Sequence, residues 1–260
     1  MRQYIVDAFT NKLFEGNQAA VCVMEEWIPE SLMKNIAKEN NFSETAFTVK
    51  NKEGIYELRW FTPGGEIDFC GHATLGASFV LFSFYETKLS ELVFRTVKKG
   101  DFSVKKSRDG ITMTFPSFSL KKIPVTEEMT KIFGAQPQEA FLDRDLLCVF
   151  DDPDVVKNMS PNENELRKLD GLCIGVTAKS AGEYDCVSRV FAPKMEVYED
   201  PVTGSTHCMI APYWSKKLNK KVINAFQASK RGGKLLCEVD ENTVSITGNA
   251  VLYSSCDLAV

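Results

Sequence analysis

The stretches EVYEDPVTGSTHC at residues 196–208 and IDFCGHATLGA at 67–77 decide how this chain is read. The chain has only two histidines, and both stand beside a glycine-centred turn: His72 directly after Gly71, His207 three residues after Gly204. Aligned on the glycines, Cys70-Gly71-His72 faces Thr203-Gly204-Ser205 at an offset of 133 residues. Working outward, similar offsets recur. Arg59-Trp60-Phe61-Thr62-Pro63 resembles Arg189-Val190-Phe191-Ala192-Pro193 at 130, and Ile111-Thr112-Met113-Thr114 faces Val244-Ser245-Ile246-Thr247 at 133. Phe94 with Gly100 faces Phe226 with Gly232, and Pro29 faces Pro161, both at 132. Several weak matches in one order and at nearly one offset mark an internal duplication.

The duplication predicts an α+β protein of two pseudo-symmetric lobes, 1–117 and 118–260, joined within the Pro-, Ser- and Lys-rich stretch 116–124. Helical spacing of Leu32, Met33, Ile36 and Ala37 predicts a helix over 31–40, with its counterpart at 161–169. Strands are expected at 4–8, 19–24, 45–49, 56–61 and 92–94, then at 146–150, 174–177, 187–191, 235–239 and 251–253. The runs 73–82 and 206–214 are apolar all round, which predicts that each is a buried helix with a curved, mostly antiparallel sheet wrapped around it.

The bulk numbers exclude several classes. With 44% hydrophobic and 25% charged residues, the 260-residue chain has the composition of a globular protein with mass enough for two cores. A net charge of −4 argues against nucleic acid as a partner, and the acid-free basic stretch from Lys216 to Lys234 reads as a solvated face. No two of the eight cysteines are closer than Cys173 and Cys186, which removes the CxxC zinc and redox patterns. The first residues carry no secretory signal pattern, and no apolar run is of membrane length, so the expectation is a cytoplasmic protein with reduced thiols and no membrane partner.

A helix start offers unpaired backbone N–H groups and a partial positive charge. Gly71 and Gly204 allow close approach of a ligand, and Ser205 and Thr206 add hydroxyls, so a small anionic metabolite with a carboxylate is the expected substrate. Glu44 lies among Phe42, Ala46 and Phe47, an apolar setting in which a carboxyl group is expected to be a stronger base than usual. The matching part of the second half, Leu172 to Val176, has no carboxylate, so one half brings the acid/base and the other brings Asp200 and Ser205. His207, one helical turn inside its apolar run, is expected to pack rather than react.

Taken in order, FEGNQAAV, FSETAF, RWFTPGGEIDFCGHATLGA, RVFAP, EDPVTGSTHC and ASKRGG resemble the PhzF-like (phenazine-biosynthesis) isomerases, which share the two-lobed fold of diaminopimelate epimerase. The chain departs at Gln18, where the family often has proline, and at Thr206, where alanine is common. The resemblance implies a cofactor-free and metal-free isomerase of a biosynthetic process, moving a proton on a substrate held between the lobes. It implies Glu44, His72, Asp200 and Ser205 as catalytic, and Asn17, Cys70, Gly71, Ala73, Thr203, Gly204 and Thr206 as substrate-binding. It further implies a homodimer, and the epimerase fold suggests a final strand crossing back to the first lobe.

Three other readings stand beside this one. A two-base epimerase or racemase of an amino-acid-like substrate needs a thiol before each glycine turn; Cys70 supplies one, but Thr203 fills the other place. A thiol hydrolase on Cys70 and His72 lacks an Asp or Asn placed to orient the histidine. A non-catalytic binding homologue has no reason to keep Glu44, His72, Asp200 and Ser205 together.

Overall fold

The computed structural model describes residues 1–98 and 100–260, and the chain divides into two compact units, Met1–Thr114 with Thr247–Val260, and Phe115–Ile246. The division falls just before the Pro-Ser-Lys stretch. The C-terminal strand Ala250–Asp257 lies in the first unit, where it pairs antiparallel with Arg2–Ala8 from Arg2↔Asp257 to Ala8↔Ala250.

In the first unit Arg2–Ala8 also pairs with Asn17–Met24, and the sheet continues through Glu44–Lys50, Tyr56–Thr62, Glu91–Thr96, Gly100–Lys106 and Ile111–Pro116. Two of these pairings are parallel: Asn17–Met24 with Glu44–Lys50, and Tyr56–Thr62 with Glu91–Thr96. Parallel neighbours need a crossover, and both are the pairs whose connection holds a helix. The first crossover is Glu30–Asn40; the second is Gly71–Val80, extended by a π-helical turn at Leu81–Tyr85.

The second unit repeats the plan. Leu146–Phe150 pairs parallel with Ile174–Lys179 across the helices Pro153–Asn158 and Glu163–Leu166. Cys186–Ala192 pairs parallel with Val222–Gln227 across the helix Gly204–Leu218. Strand registers match as well: Thr45 faces Phe61 and Ile174 faces Phe191, so the residue matching Glu44 is Cys173.

The central helices are buried because their sequences leave no polar face. Gly71–Val80 buries every residue from His72 to Ser78 and packs on four strands of its unit. A Cβ at Gly76 would meet Val6 Cγ2 at 2.7 Å, so this glycine sets how closely helix and strand approach. In the second unit the strand supplies the glycine: a Cβ at Gly175 would lie 2.7 Å from Thr206 Cγ2. Gly204–Leu218 contains Pro212, which has no N–H for the carbonyl of Cys208; that carbonyl instead accepts the Phe118 N–H at 3.1 Å.

The helix Glu30–Asn40 buries Met33, Ile36 and Ala37 against Cys22, Phe47 and Phe61, as its spacing predicts, and ends at Asn41 in the left-handed region. The helix expected over 161–169 is shorter: after the Asn162 cap only Glu163–Leu166 is α-helical. The preceding helix Pro153–Asn158 is an addition whose signal was present, an Asp152 cap before a proline at its first turn. The basic stretch is a solvated face. Lys217, Lys220, Lys221 and Lys234 pair with Glu139, Asp185, Asp240 and Glu183 from other segments of the second unit. Among the described residues no helix is long and apolar enough to cross a membrane.

Candidate active site

In the first unit four of the expected site residues meet. Glu44 opens the strand Glu44–Lys50, Asn17 opens the neighbouring strand, and Cys70 and His72 flank Gly71 at the start of the central helix. Glu44 Oε2 lies 2.9 Å from His72 Nε2, close enough to pair with the ring, yet this oxygen accepts no well-formed hydrogen bond. The other ring nitrogen, Nδ1, is 3.0 Å from Asn17 Nδ2 and 3.4 Å from Cys70 Sγ, so, contrary to the expectation from sequence, an asparagine does stand against the histidine, brought there by strand pairing from 55 residues away. Only 8% of Glu44 is exposed, so the His72 ring is what offsets the burial of this oxygen, with no second partner among the described residues.

The electrostatics follow from this packing. Burial works against a charge on His72, but Cys70 and the Glu44 carboxylate outweigh it and hold the histidine well above its usual range. Burial, reinforced by the charge of Glu44, pushes the Cys70 thiol up to about 11, against the opposing pull of His72. A protonated thiol is a poor base, so Cys70 is unsuited to open the reaction. Cys70 sits at the N-cap in extended backbone; its sulfur makes no well-formed cap bond but faces the Ala73 N–H, which pulls against the rise of the thiol.

In the second unit the matching helix start is built differently. Asp200 Oδ2 accepts the Thr203 hydroxyl, and Gln227 clamps the turn by accepting the Thr203 N–H at 2.8 Å and donating to the Asp200 carbonyl at 2.7 Å. Gly204 is buried and Ser205 is partly exposed. The Thr206 side chain does not line an open surface. It is fully buried, and its hydroxyl donates to Asp145 Oδ2 at 2.8 Å, so only its backbone remains for the substrate-binding role expected of it. Asp145, fully buried and also accepting the Cys173 N–H, was not singled out in the sequence; an acid in the loop LDRD carries no signal of burial.

The two histidines are not equivalents. At the offset of 133, His72 matches Ser205, whereas His207 matches Thr74. Thr74 donates its hydroxyl to the carbonyl of Cys70 at 2.6 Å, and His207 Nδ1 donates to the carbonyl of Thr203 at 2.8 Å, so both return a bond to the residue before the glycine. Burial holds His207 down to about 4, and its Nε2 lies 3.3 Å from Ser188 Oγ. In the unfolded chain this group titrates near 6.5, so below that pH the unfolded state takes up the proton first. Stability is therefore expected to fall by about 2–3 kcal/mol from this group between pH 6.5 and pH 4. Urea titrations across that range should show a shallower loss in His207→Gln; an identical slope would remove His207 as the cause.

Two α+β units, each with a sheet around a buried helix that begins at a glycine turn, define the architecture shared by epimerases and racemases. A probable proline racemase from Agrobacterium radiobacter shares the fold with a TM-score of 0.68 at 10% identity, over 100% of this chain and 93% of that one. The chain belongs to the PhzC-PhzF family of phenazine biosynthesis-like proteins, whose model matches residues 6–256. It is 42% identical over 258 residues to an uncharacterized isomerase of Halalkalibacterium halodurans, covering 98% of this chain and 97% of the relative. A PhzF-family phenazine biosynthesis protein of Enterococcus faecalis superposes with a TM-score of 0.96 at 45% identity, covering 100% and 99% of the two chains. The protein is accordingly an isomerase of this family.

Proposed function

We propose that the protein isomerises a small carboxylate-bearing metabolite by moving one proton between two carbons, with Glu44 as the group that takes and returns it. The observation that carries this reading is the nearly buried Glu44 carboxylate, whose Oε2 stands 2.9 Å from His72 Nε2 with no other partner among the described residues. An oxygen with a free lone pair can accept a proton from a carbon next to a conjugating group. The electron pair then moves into the conjugated system, and the same carboxyl group returns the proton at another carbon, so atoms and charge balance without a redox partner. His72, whose pairing with Glu44 favours its charged form, lies where it can offset the negative charge that develops on the substrate. Asn17 acts through His72, since its amide sits against the far ring nitrogen.

The helix start at Gly71, with the partial positive charge of its first turn, favours an anion as the substrate's handle. For Asp200 and Ser205 the support is the family resemblance together with the Thr203–Gln227 clamp that fixes their turn. A paired-thiol epimerase is disfavoured, because Thr203 stands where its second thiol belongs and Cys70 holds its proton.

The test is carbon-bound exchange. Carboxylate metabolites with an activated C–H, incubated in deuterated water with dialysed protein, should acquire deuterium at carbon, read by NMR. Their neutral amide analogues should exchange far more slowly. Equal exchange in acid and amide would refute the anionic handle.

A further inference from the structure

Glu44, Cys70 and His72 offer one carboxylate oxygen, one sulfur and one imidazole nitrogen within 4.8 Å of one another. We propose that these three side chains form a binding site for a thiophilic divalent cation of the zinc class, which the isomerisation does not use and whose binding blocks it. The blocking rests on the role given to Glu44 above; the binding does not.

The donor set selects the cation. One sulfur, one nitrogen and one oxygen suit Zn²⁺ or Co²⁺, whereas Mg²⁺ and Ca²⁺ require shells of oxygen. Three protein ligands with a fourth position left to water is the pattern of an open zinc site. A tetrahedral ion with ordinary ligand distances sets its N–O and N–S edges at about 3.3 and 3.6 Å. Here Glu44 Oε2 to His72 Nε2 is 2.9 Å and Cys70 Sγ to His72 Nε2 is 4.0 Å. Besides changes of about half an ångström in these two edges, binding requires the Cys70 side chain to turn, because its sulfur now lies nearer Nδ1, at 3.4 Å, than Nε2.

Two independent observations point to a ligand at this place. Glu44 Oε2 is buried with the His72 ring as its one partner among the described residues, and a cation bound to Nε2 would take over that pairing once the ring gives up its proton. Asn17 lies against Nδ1, the nitrogen that would face away from the ion; by turning its amide it can accept the Nδ1–H, which is how metal-bound histidines are usually held. Cys70 would bind as the thiolate, its proton passing to solvent. Among the described residues no other group of three His, Cys, Asp or Glu side chains has ligand spacing.

The experiment uses the full chain, reduced and freed of metal with a chelator, titrated with Co²⁺. A saturable one-to-one thiolate-to-cobalt charge-transfer band in the near ultraviolet is expected, displaced by Zn²⁺. The band should vanish in Cys70→Ser, which puts a favoured N-cap residue at the helix start, and persist in Cys256→Ser, which removes the exposed thiol. Asn17→Ala should weaken cobalt binding by about 10–100-fold. No band with cobalt in large excess, or a band that follows Cys256, would overturn the site. The band does not depend on turnover, so it stands or falls separately from the exchange experiment.

Discussion

Glu44→Gln is expected to keep the fold and lower isomerisation by about 10²–10⁴-fold, the range that a positioned acid/base group supplies. Glutamine has the shape of glutamate and can present its amide oxygen to His72 Nε2, so the contact that holds the ring at 2.9 Å need not be lost. What disappears is the ability to take and return a proton. Deuterium incorporation at carbon should fall in parallel with turnover. His72→Ala should weaken both binding and rate, since it removes the charge beside Glu44 and the partner of Asn17. Cys70→Ala should have the smaller effect, because a thiol held at about 11 contributes little base at neutral pH. Rate loss on thiol alkylation combined with normal exchange in Glu44→Gln would reverse the assignment and restore a thiol mechanism.

Much of this arrangement was legible in the sequence, and the reason is the duplication. Matched fragments at offsets of 130 to 133 fixed which helices are central, and apolar alternation located the strands that flank them. The meeting of Glu44 with His72 was not legible in the same way. The two side chains come together because Glu44–Lys50 packs against the helix Gly71–Val80, a tertiary contact that spacing along the chain does not encode. Family resemblance named both residues but not the distance between them or the Asn17 contact. In the second unit, Gln227 and Asp145 were missed for a related reason. Each is a polar residue in an unremarkable segment, made structural only by burial against the turn at Thr203 and the helix residue Thr206.

The quoted fragments RWFTP and RVFAP also contain a repeated pair that neither fragment shows alone. Arg59 makes two bonds to Glu66 and Arg189 makes two to Glu199, each across the short hairpin that precedes a glycine turn. The registers agree: Phe61 faces Glu66, and Phe191 faces Glu199. The sequence separation differs, and this concealed the correspondence.

The pair predicts unequal energetics from equal chemistry. Arg59 and its partners Glu66 and Glu30 have side chains 20%, 33% and 50% exposed, so water competes for every bond. Arg59→Ala is expected to cost about 0–1 kcal/mol. Arg189 and Glu199 are 10% and 14% exposed, and the Arg189 guanidinium also donates to the carbonyls of Lys157, in the last turn of the helix Pro153–Asn158, and of Met159, which follows it. Removing it leaves a buried carboxylate and buried carbonyls without their donor, so Arg189→Ala should cost about 3–5 kcal/mol. The loss should reach the site as well, since Asp200 follows Glu199 directly and the strand Val197–Glu199 is anchored by this arginine. Urea midpoints of the two variants decide the matter. Similar small losses would mean that the second pair is screened by solvent like the first, whereas a large loss confined to Arg189→Ala would mark it as the buried clamp that holds the turn at Asp200 to Gly204.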